Sequence, residues 1–402
     1  MSIFNTNQVD ILTEPMFLGS DLGIARYDIQ RHRVFEQLIE KQHSFFWRPE
    51  EVNLTADRAQ FDKLPHHQQE IFTKNLKYQT LMDSVQGRAP TIVLGELVSD
   101  PSLDTWIQTW TFSETIHSRS YTHIMRNLWN DPSKVFDEIV LDKDIMDRAE
   151  SISRYYNDVT EAKREYFNAL DYQKVIEEDI KEYDEPENHE WAVCQRNDAA
   201  TEVYESKYWL LKKLYLCLHA VNALEAIRFY VSFVFTWNFT KNMSIMEGNS
   251  KVMKLIARDE QLHLKSTQYI LNEWQKGTDG PIYAQIAKEC EAEAAQIFLA
   301  AAEQEKEWAN KLFDLGPVPG LSREIMEQFV DYMTASRMNS VNLPHSIDAP
   351  KSHPLPWIRE YLNSDMVQSA PQEVEISSYL ISQINSDVDS TVLSTLKENY
   401  GK

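Results

Sequence analysis

Glu-x-x-His places a carboxylate and an imidazole one turn apart on the same face of a helix, a spacing that suits metal ligation. It occurs three times, at Glu40/His43, Glu114/His117 and Glu260/His263. With 36 glutamates and 11 histidines in 402 residues, about one such pair arises by chance, so context must separate the three. Glu40 and His43 continue a polar stripe with Glu36, opposite Val34, Leu38 and Phe45, and read as solvated. Glu114 and His117 interrupt an apolar seam: Leu103, Ile107, Trp110, Glu114, His117, Tyr121, Ile124, Leu128. Glu260 and His263 do the same within Met246, Met253, Ile256, Glu260, His263, Thr267, Ile270, Trp274. Either pair alone reads equally well as a buried polar network. Two pairs on two core seams favour a metal site.

A binuclear carboxylate site in a bundle takes one further carboxylate from each of two more helices. Asp83, on a seam with Phe72, Leu76 and Gln79, and Glu225, between Leu218 and Phe229, meet that need. Four buried carboxylates require cations, because each one left unpaired costs several kcal/mol, roughly. Two divalent ions balance them, and mixed imidazole and carboxylate ligation suits iron or manganese better than magnesium or copper. Tyr121 lies one turn beyond His117. Its ordinary reading is a core tyrosine with a hydrogen-bonded hydroxyl. Phe229 and Phe233, one and two turns after Glu225, and Ile256, one turn before Glu260, could alternatively wall it from water, as a long-lived oxidised tyrosine requires.

Those residues need long helices to carry them. Apolar positions at three- and four-residue steps predict helices over 31–46, 66–88, 101–130, 205–238, 248–275, 282–314 and 321–340. Pro65 and Asp100-Pro101 mark two starts, and Gly316-Pro317 closes the sixth segment. The segment 101–130 would span ~45 Å, a length suited to a bundle. Residues 161–190 hold 11 acidic and 4 basic side chains and read as a solvated helical excursion or loop. Residues 341–402, rich in Pro, Ser, Asn and Asp, read as a mobile tail with a docking patch near Ile376, Tyr379, Leu380 and Ile381. The expected organisation is an arm over 1–30, a helical domain over 31–340 with an acidic excursion at 161–207, and a tail over 341–402.

Composition narrows the function classes. A net charge of −22 repels phosphate backbones and argues against nucleic-acid binding. Only 10 glycines, with no G-x-G-x-x-G or Walker loop, argue against a glycine-rich nucleotide cradle. Three cysteines without a C-x-x-C argue against a disulfide framework or a cysteine-based zinc site. The first ten residues lack the features of a signal peptide. The most apolar window, 216–237, contains His219, Glu225 and Arg228 and reads as a buried core helix rather than a membrane span. The expected compartment is the cytoplasm, that of a host if a phage encodes the chain.

The stretches FFWRPEEV (45–52), NLKYQTLMDSVQGR (75–88), FSETIHSRSYTHI (112–124), NALEAIRFYVSF (222–233), IARDEQLHL (256–264) and PQEVEISSYL (371–380) carry a further signal. With them the chain resembles the small, radical-generating subunit of class I ribonucleotide reductases, nearest the class Ia form of bacteria and tailed phages. The resemblance runs from about Glu14 to the end, except 161–207, which is longer than bacterial relatives lead one to expect.

That resemblance implies an all-α, ferritin-like bundle with additional helices and a flexible C-terminal tail, and a homodimer. It implies Asp83, Glu114, His117, Glu225, Glu260 and His263 as ligands of two iron ions, manganese being the alternative. It implies O₂ activation and a stable radical on Tyr121 within a pocket of Phe229, Phe233 and Ile256. Trp47, Asp259 and His117 match the internal end of a proton-coupled electron-transfer chain, and Tyr379 the tail tyrosine that passes the radical to a large catalytic subunit. Periodicity alone would read Trp47 as core and Asp259 as the partner of a ligating histidine. The competing readings are a dimetal hydroxylase or desaturase on the same bundle, and an iron-storage ferroxidase.

Overall fold

The computed structural model describes residues 6–20, 23–182 and 189–362. Its helices are α1 (Arg33–Ser44), α2 (Thr55–Phe61), α3 (His66–Gln86), α4 (Pro101–Leu128), α5 (Ser133–Asp137) and α6 (Lys143–Glu182). There follow α7 (His189–Ala223), α8 (Phe229–Met243), α9 (Glu247–Lys276), α10 (Pro281–Glu289), α11 (Glu291–Leu315), α12 (Arg323–Ser340) and α13 (Arg359–Leu362). Among the described residues there is no strand, only an isolated bridge between Phe17 and Val98.

Four helical segments form the centre. The α4 helix packs on α3 and α9, and α8 packs on α3 and α9, so the four close into a ring. The start of α4 is set as its sequence predicts: the Asp100 carboxylate accepts the Leu103 N–H at 2.8 Å and Pro101 opens the helix. Between α7 and α8 the helix does not stop. It passes through one π-helical turn, Leu224–Arg228, where the hydrogen-bond ladder slips by a residue. The apolar window of this long helix is wholly buried inside the protein, as a core helix requires.

Several expectations need correction. The helix expected over 205–238 begins at His189 and runs to Met243 through the π turn. The segment 282–314 is two helices broken at Cys290, which sits at ψ 0° while its neighbours stay in register. The 40-residue α6 makes residues 161–182 helical, one of the two forms read for that stretch, but it begins at Lys143, where no helix was expected. Its buried apolar positions, Ile145, Ala149, Ile152, Tyr156, Val159, Ala162, Tyr166, Ala169, Ile176 and Ile180, make a narrow stripe, and the helix packs along α7. So narrow a stripe leaves most of the helix polar, which hides it in an acidic sequence. Residues 341–362 are not a free tail. Val341, Leu343, Leu355, Ile358 and Tyr361 are buried, Gln261 Nε2 donates to the Leu362 carbonyl at 3.0 Å, and Tyr361 lies 5.1 Å from the Trp237 ring. Residues 363–402 lie outside the described part.

A buried polar knot ties α3, α6 and α11 to the π turn. Tyr78 donates to Glu305 Oε1 at 2.6 Å, and Arg228 approaches the same oxygen at 3.9 Å. Burial pushes the Glu305 carboxyl up to about 7, against the opposing pull of Arg228 and Arg148. Because its folded pKa exceeds the unfolded one, Glu305 contributes stability at acid pH that is lost as pH rises toward 7. Glu305→Gln removes that loss. Urea unfolding of the two metal-free proteins should show the variant gaining on the wild type from about pH 5 to about pH 7, by on the order of 3 kcal/mol, with no further gain above.

Candidate metal centre

Three members of the central ring, and the π turn that leads into the fourth, deliver candidate ligand atoms to one point. Asp83 comes from α3, Glu114 and His117 from α4, Glu225 from the π turn, and Glu260 and His263 from α9. All six are fully buried. They form two overlapping groups, Asp83–Glu114–His117–Glu260 and Glu114–Glu225–Glu260–His263, each with its donor atoms within 4.8 Å of one another.

The shared members decide the topology. Glu114 turns Oε2 to His117 Nδ1 at 3.1 Å and Oε1 to His263 Nδ1 at 3.0 Å. Glu260 likewise turns Oε1 to His117 Nδ1 at 3.1 Å and Oε2 to His263 Nδ1 at 3.2 Å. Two carboxylates that each face both histidines could serve two ions at once, which would leave Asp83 as the end group on one side and Glu225 on the other.

The electrostatics of the bare protein are those of a cation site. Burial, then the charges of Glu114 and Glu260, push the Asp83 carboxyl well above its usual range. Burial and Glu260 do the same to Glu225. Burial opposes charge on His117 and His263, but the surrounding carboxylates raise both well above an ordinary histidine. Neither oxygen of Asp83 has a hydrogen-bond partner among the described residues. Four carboxylates and two imidazoles, dry and incompletely satisfied, fit two divalent ions.

Further groups hold the ligands. Asp259 Oδ2 meets His117 Nε2 at 3.2 Å and accepts the Trp47 indole N–H at 2.9 Å. Burial would raise the Asp259 carboxyl, but His117, Arg258 and Trp47 outweigh it and hold the group below the usual range. Sequence reasoning missed four neighbours. Ser113 donates to Asp259 at 3.3 Å and receives Gln42 at 3.2 Å. Trp110 donates to Glu114 at 2.9 Å, and Gln86 to Glu225 at 2.6 Å. Gln86 lies three residues after Asp83 on α3, a spacing that could have found it.

Tyr121 is fully buried, and its hydroxyl has no hydrogen-bond partner among the described residues. The ordinary reading of a core tyrosine needs one. Burial, then the neighbouring Asp83 carboxylate, push its pKa well above normal, so it stays protonated. Phe229, Phe233 and Ile256 are buried in the same core, the two phenylalanines stacked at 5.9 Å. Glu40 and His43 are exposed, as read. Tyr379 and its docking patch lie outside the described residues.

The family model described as "Ribonucleotide reductase, small chain" matches residues 26–354. The subunit beta of ribonucleoside-diphosphate reductase from Enterobacteria phage T4 is 63% identical over 99% of this chain and 100% of its own. This chain belongs to the ribonucleotide reductase small-chain family. Membership makes it an oxidoreductase subunit of the bacterial and phage type. The beta subunit of Haemophilus influenzae is 52% identical over 96% of both chains, and that of Escherichia coli O157:H7 49% over 98% of both. Equal coverage means that this chain and those two relatives are of about equal overall length. The ferritin-like helical fold is shared with a ribonucleotide reductase subunit from Clostridium botulinum (TM-score 0.68, 22% identity, 90% and 98% of the two chains). It is shared also with the dimanganese(II)-NrdF of Streptococcus sanguinis (TM-score 0.61, 15% identity, 84% and 99%).

Without a cation, Asp83 is a buried acid crowded by Glu114 and Glu260, which His117 and the Tyr121 hydroxyl only partly offset. Asp83→Asn should therefore melt higher than wild type when both are metal-free, by roughly 1–3 kcal/mol in stability. The same change should weaken metal binding, so calorimetry of metal-free and metal-loaded protein should rank the two in opposite orders.

Proposed function

We propose that this chain is the radical-generating small subunit of a class I ribonucleoside-diphosphate reductase. The observation that carries the reading is the pair of bridging carboxylates, Glu114 and Glu260, each facing two histidines, beside a buried tyrosine with an unpartnered hydroxyl. Asp83, Glu114, His117, Glu225, Glu260 and His263 hold two iron ions, and the same donor set accepts manganese. Bound there, an iron pair would supply, with O₂, the oxidising power for a one-electron oxidation of Tyr121.

The chain's own residues do the rest. Tyr121, as a neutral phenol, keeps its proton until it is oxidised. Phe229, Phe233 and Ile256 keep water from the ring. Asp259 Oδ2 joins Trp47 Nε1–H to His117 Nε2, so an electron leaving through Trp47 has a proton acceptor at hand. Tyr379, on a tail that begins beyond the packed segment ending at Leu362, relays the hole to the large catalytic subunit, where ribonucleotides are reduced. The tail docks on that subunit, and two small subunits associate as a homodimer in the cytoplasm of the cell that makes them. The residue plan is an arm over 1–30, the dimetal domain and the docking tail.

Neither competing reading is supported. Family membership stands against storage, and a hydroxylase needs a cavity open to the ligands. The apolar cavity of about 320 Å³ between α1 and α4 ends on Trp47 and Ser113.

Two outcomes test this reading. Tyr121→Phe removes only a hydroxyl, so iron should still load at about two ions per chain while the tyrosyl signal is absent. Electron paramagnetic resonance after adding ferrous iron and O₂ reads the difference, and a wild-type signal in the variant moves the radical elsewhere. Deletion of residues 365–402 should leave metal and radical intact and reduce turnover with the large subunit to background. Retained turnover would assign the exit route to another part of the chain.

A further inference from the structure

Glu225 differs from the other ligands in how it is carried. It sits in the π turn Leu224–Arg228, where the helical ladder slips, so its backbone is less constrained than that of ligands on α3, α4 and α9. Two contacts from outside fasten this turn. At one end Arg228 donates to Ser151 Oγ at 2.8 Å and to Gln304 Oε1 at 2.6 Å. At the other, Gln86 Nε2 donates to Glu225 Oε1 at 2.6 Å. The hydroxyl of Tyr156 donates in turn to Gln86 Oε1. Tyr156, Gln86 and Glu225 are all buried. Ser151 and Tyr156 both belong to α6, so one helix outside the central ring braces both ends of the turn.

The chain Tyr156–Gln86–Glu225 has a direction. As a metal ligand Glu225 is ionised and only accepts, which agrees with the NH₂ of Gln86 facing it. Its carbonyl oxygen then points toward α6, where it would be buried without a donor unless Tyr156 supplied one. With the amide reversed, two oxygens would face each other. Tyr156 thereby locks the amide, and the amide ties down one oxygen of Glu225. The other oxygen, Oε2, is left facing His263 Nδ1 at 3.6 Å, inside the second ligand group. Asp83, the end group on the opposite side, has no such tether.

We propose that Tyr156 is a positioning residue for the metal held by Glu225 and His263, acting only through Gln86 to select which Glu225 oxygen is offered. The inference rests on the reading of Glu225 as a ligand. Outer partners of metal ligands typically govern affinity by about 10–100-fold. Because the tether touches one end group alone, it should affect one of two binding steps.

The test is Mn²⁺ titrated into the metal-free full-length protein, with the free ion followed by electron paramagnetic resonance. Tyr156→Phe should weaken one of the two binding steps about tenfold and leave the other at its wild-type value. Gln86→Met should weaken the same step by about 10–100-fold. The double variant should bind no more weakly than Gln86→Met alone, since Tyr156 has nothing left to act on. A merely structural role would lower folding stability without splitting the two steps. Two wild-type steps in Tyr156→Phe, equal weakening of both steps, or additive effects in the double variant would overturn the inference. A wild-type protein that binds no Mn²⁺ would instead overturn the metal reading beneath it.

Discussion

Four carboxylates meeting in a dry core are the constraint on which this structure depends. Like charges this close cannot all remain ionised without a counter-charge, and the bare protein shows the strain in the raised carboxyls of Asp83 and Glu225. Cations could relieve it only where the candidate ligands are held facing one another. The closed ring of α3, α4, α8 and α9, with the π turn that leads into α8, holds them so. Glu114 and Glu260 turn one oxygen to each histidine, a division that would suit two linked sites.

The layer around the ligands is asymmetric. On the His117 side, Asp259 links the imidazole to Trp47, which forms part of the wall of a surface cavity while its own atoms are covered. That line joins a candidate ligand to the wall of the cavity, and Ser113 and Gln42 steady it. On the His263 side the polar contacts run to Gln86 and on to α6, outside the central ring. Tyr121 sits apart from both lines, its hydroxyl without a hydrogen-bond partner among the described residues and apolar side chains in the core around it. On the proposed reading, an unpaired electron there would gain from that isolation.

The sequence by itself determined the chemistry. Ionisable residues at seam positions reveal themselves against an apolar background, so all six proposed ligands were legible, and the structure brings them together. Helix starts were legible where the local chain dictates them, as at Asp100-Pro101. The helices α1, α3, α4, α9 and α12 lie within a few residues of the periodic segments for the same reason. What only the tertiary structure decided involves contacts between elements. Periodicity tells which face of a helix is buried and not what covers it, so the stripe of α6 stayed hidden until α7 was seen against it. The π turn has no local signature, since an extra residue in a turn is stabilised by what packs around it. Gln86 and Tyr156, like Ser113 and Gln42, are ordinary polar residues along the chain. Their hydrogen bonds join helices distant in sequence, and only the fold sets the distances that make them partners.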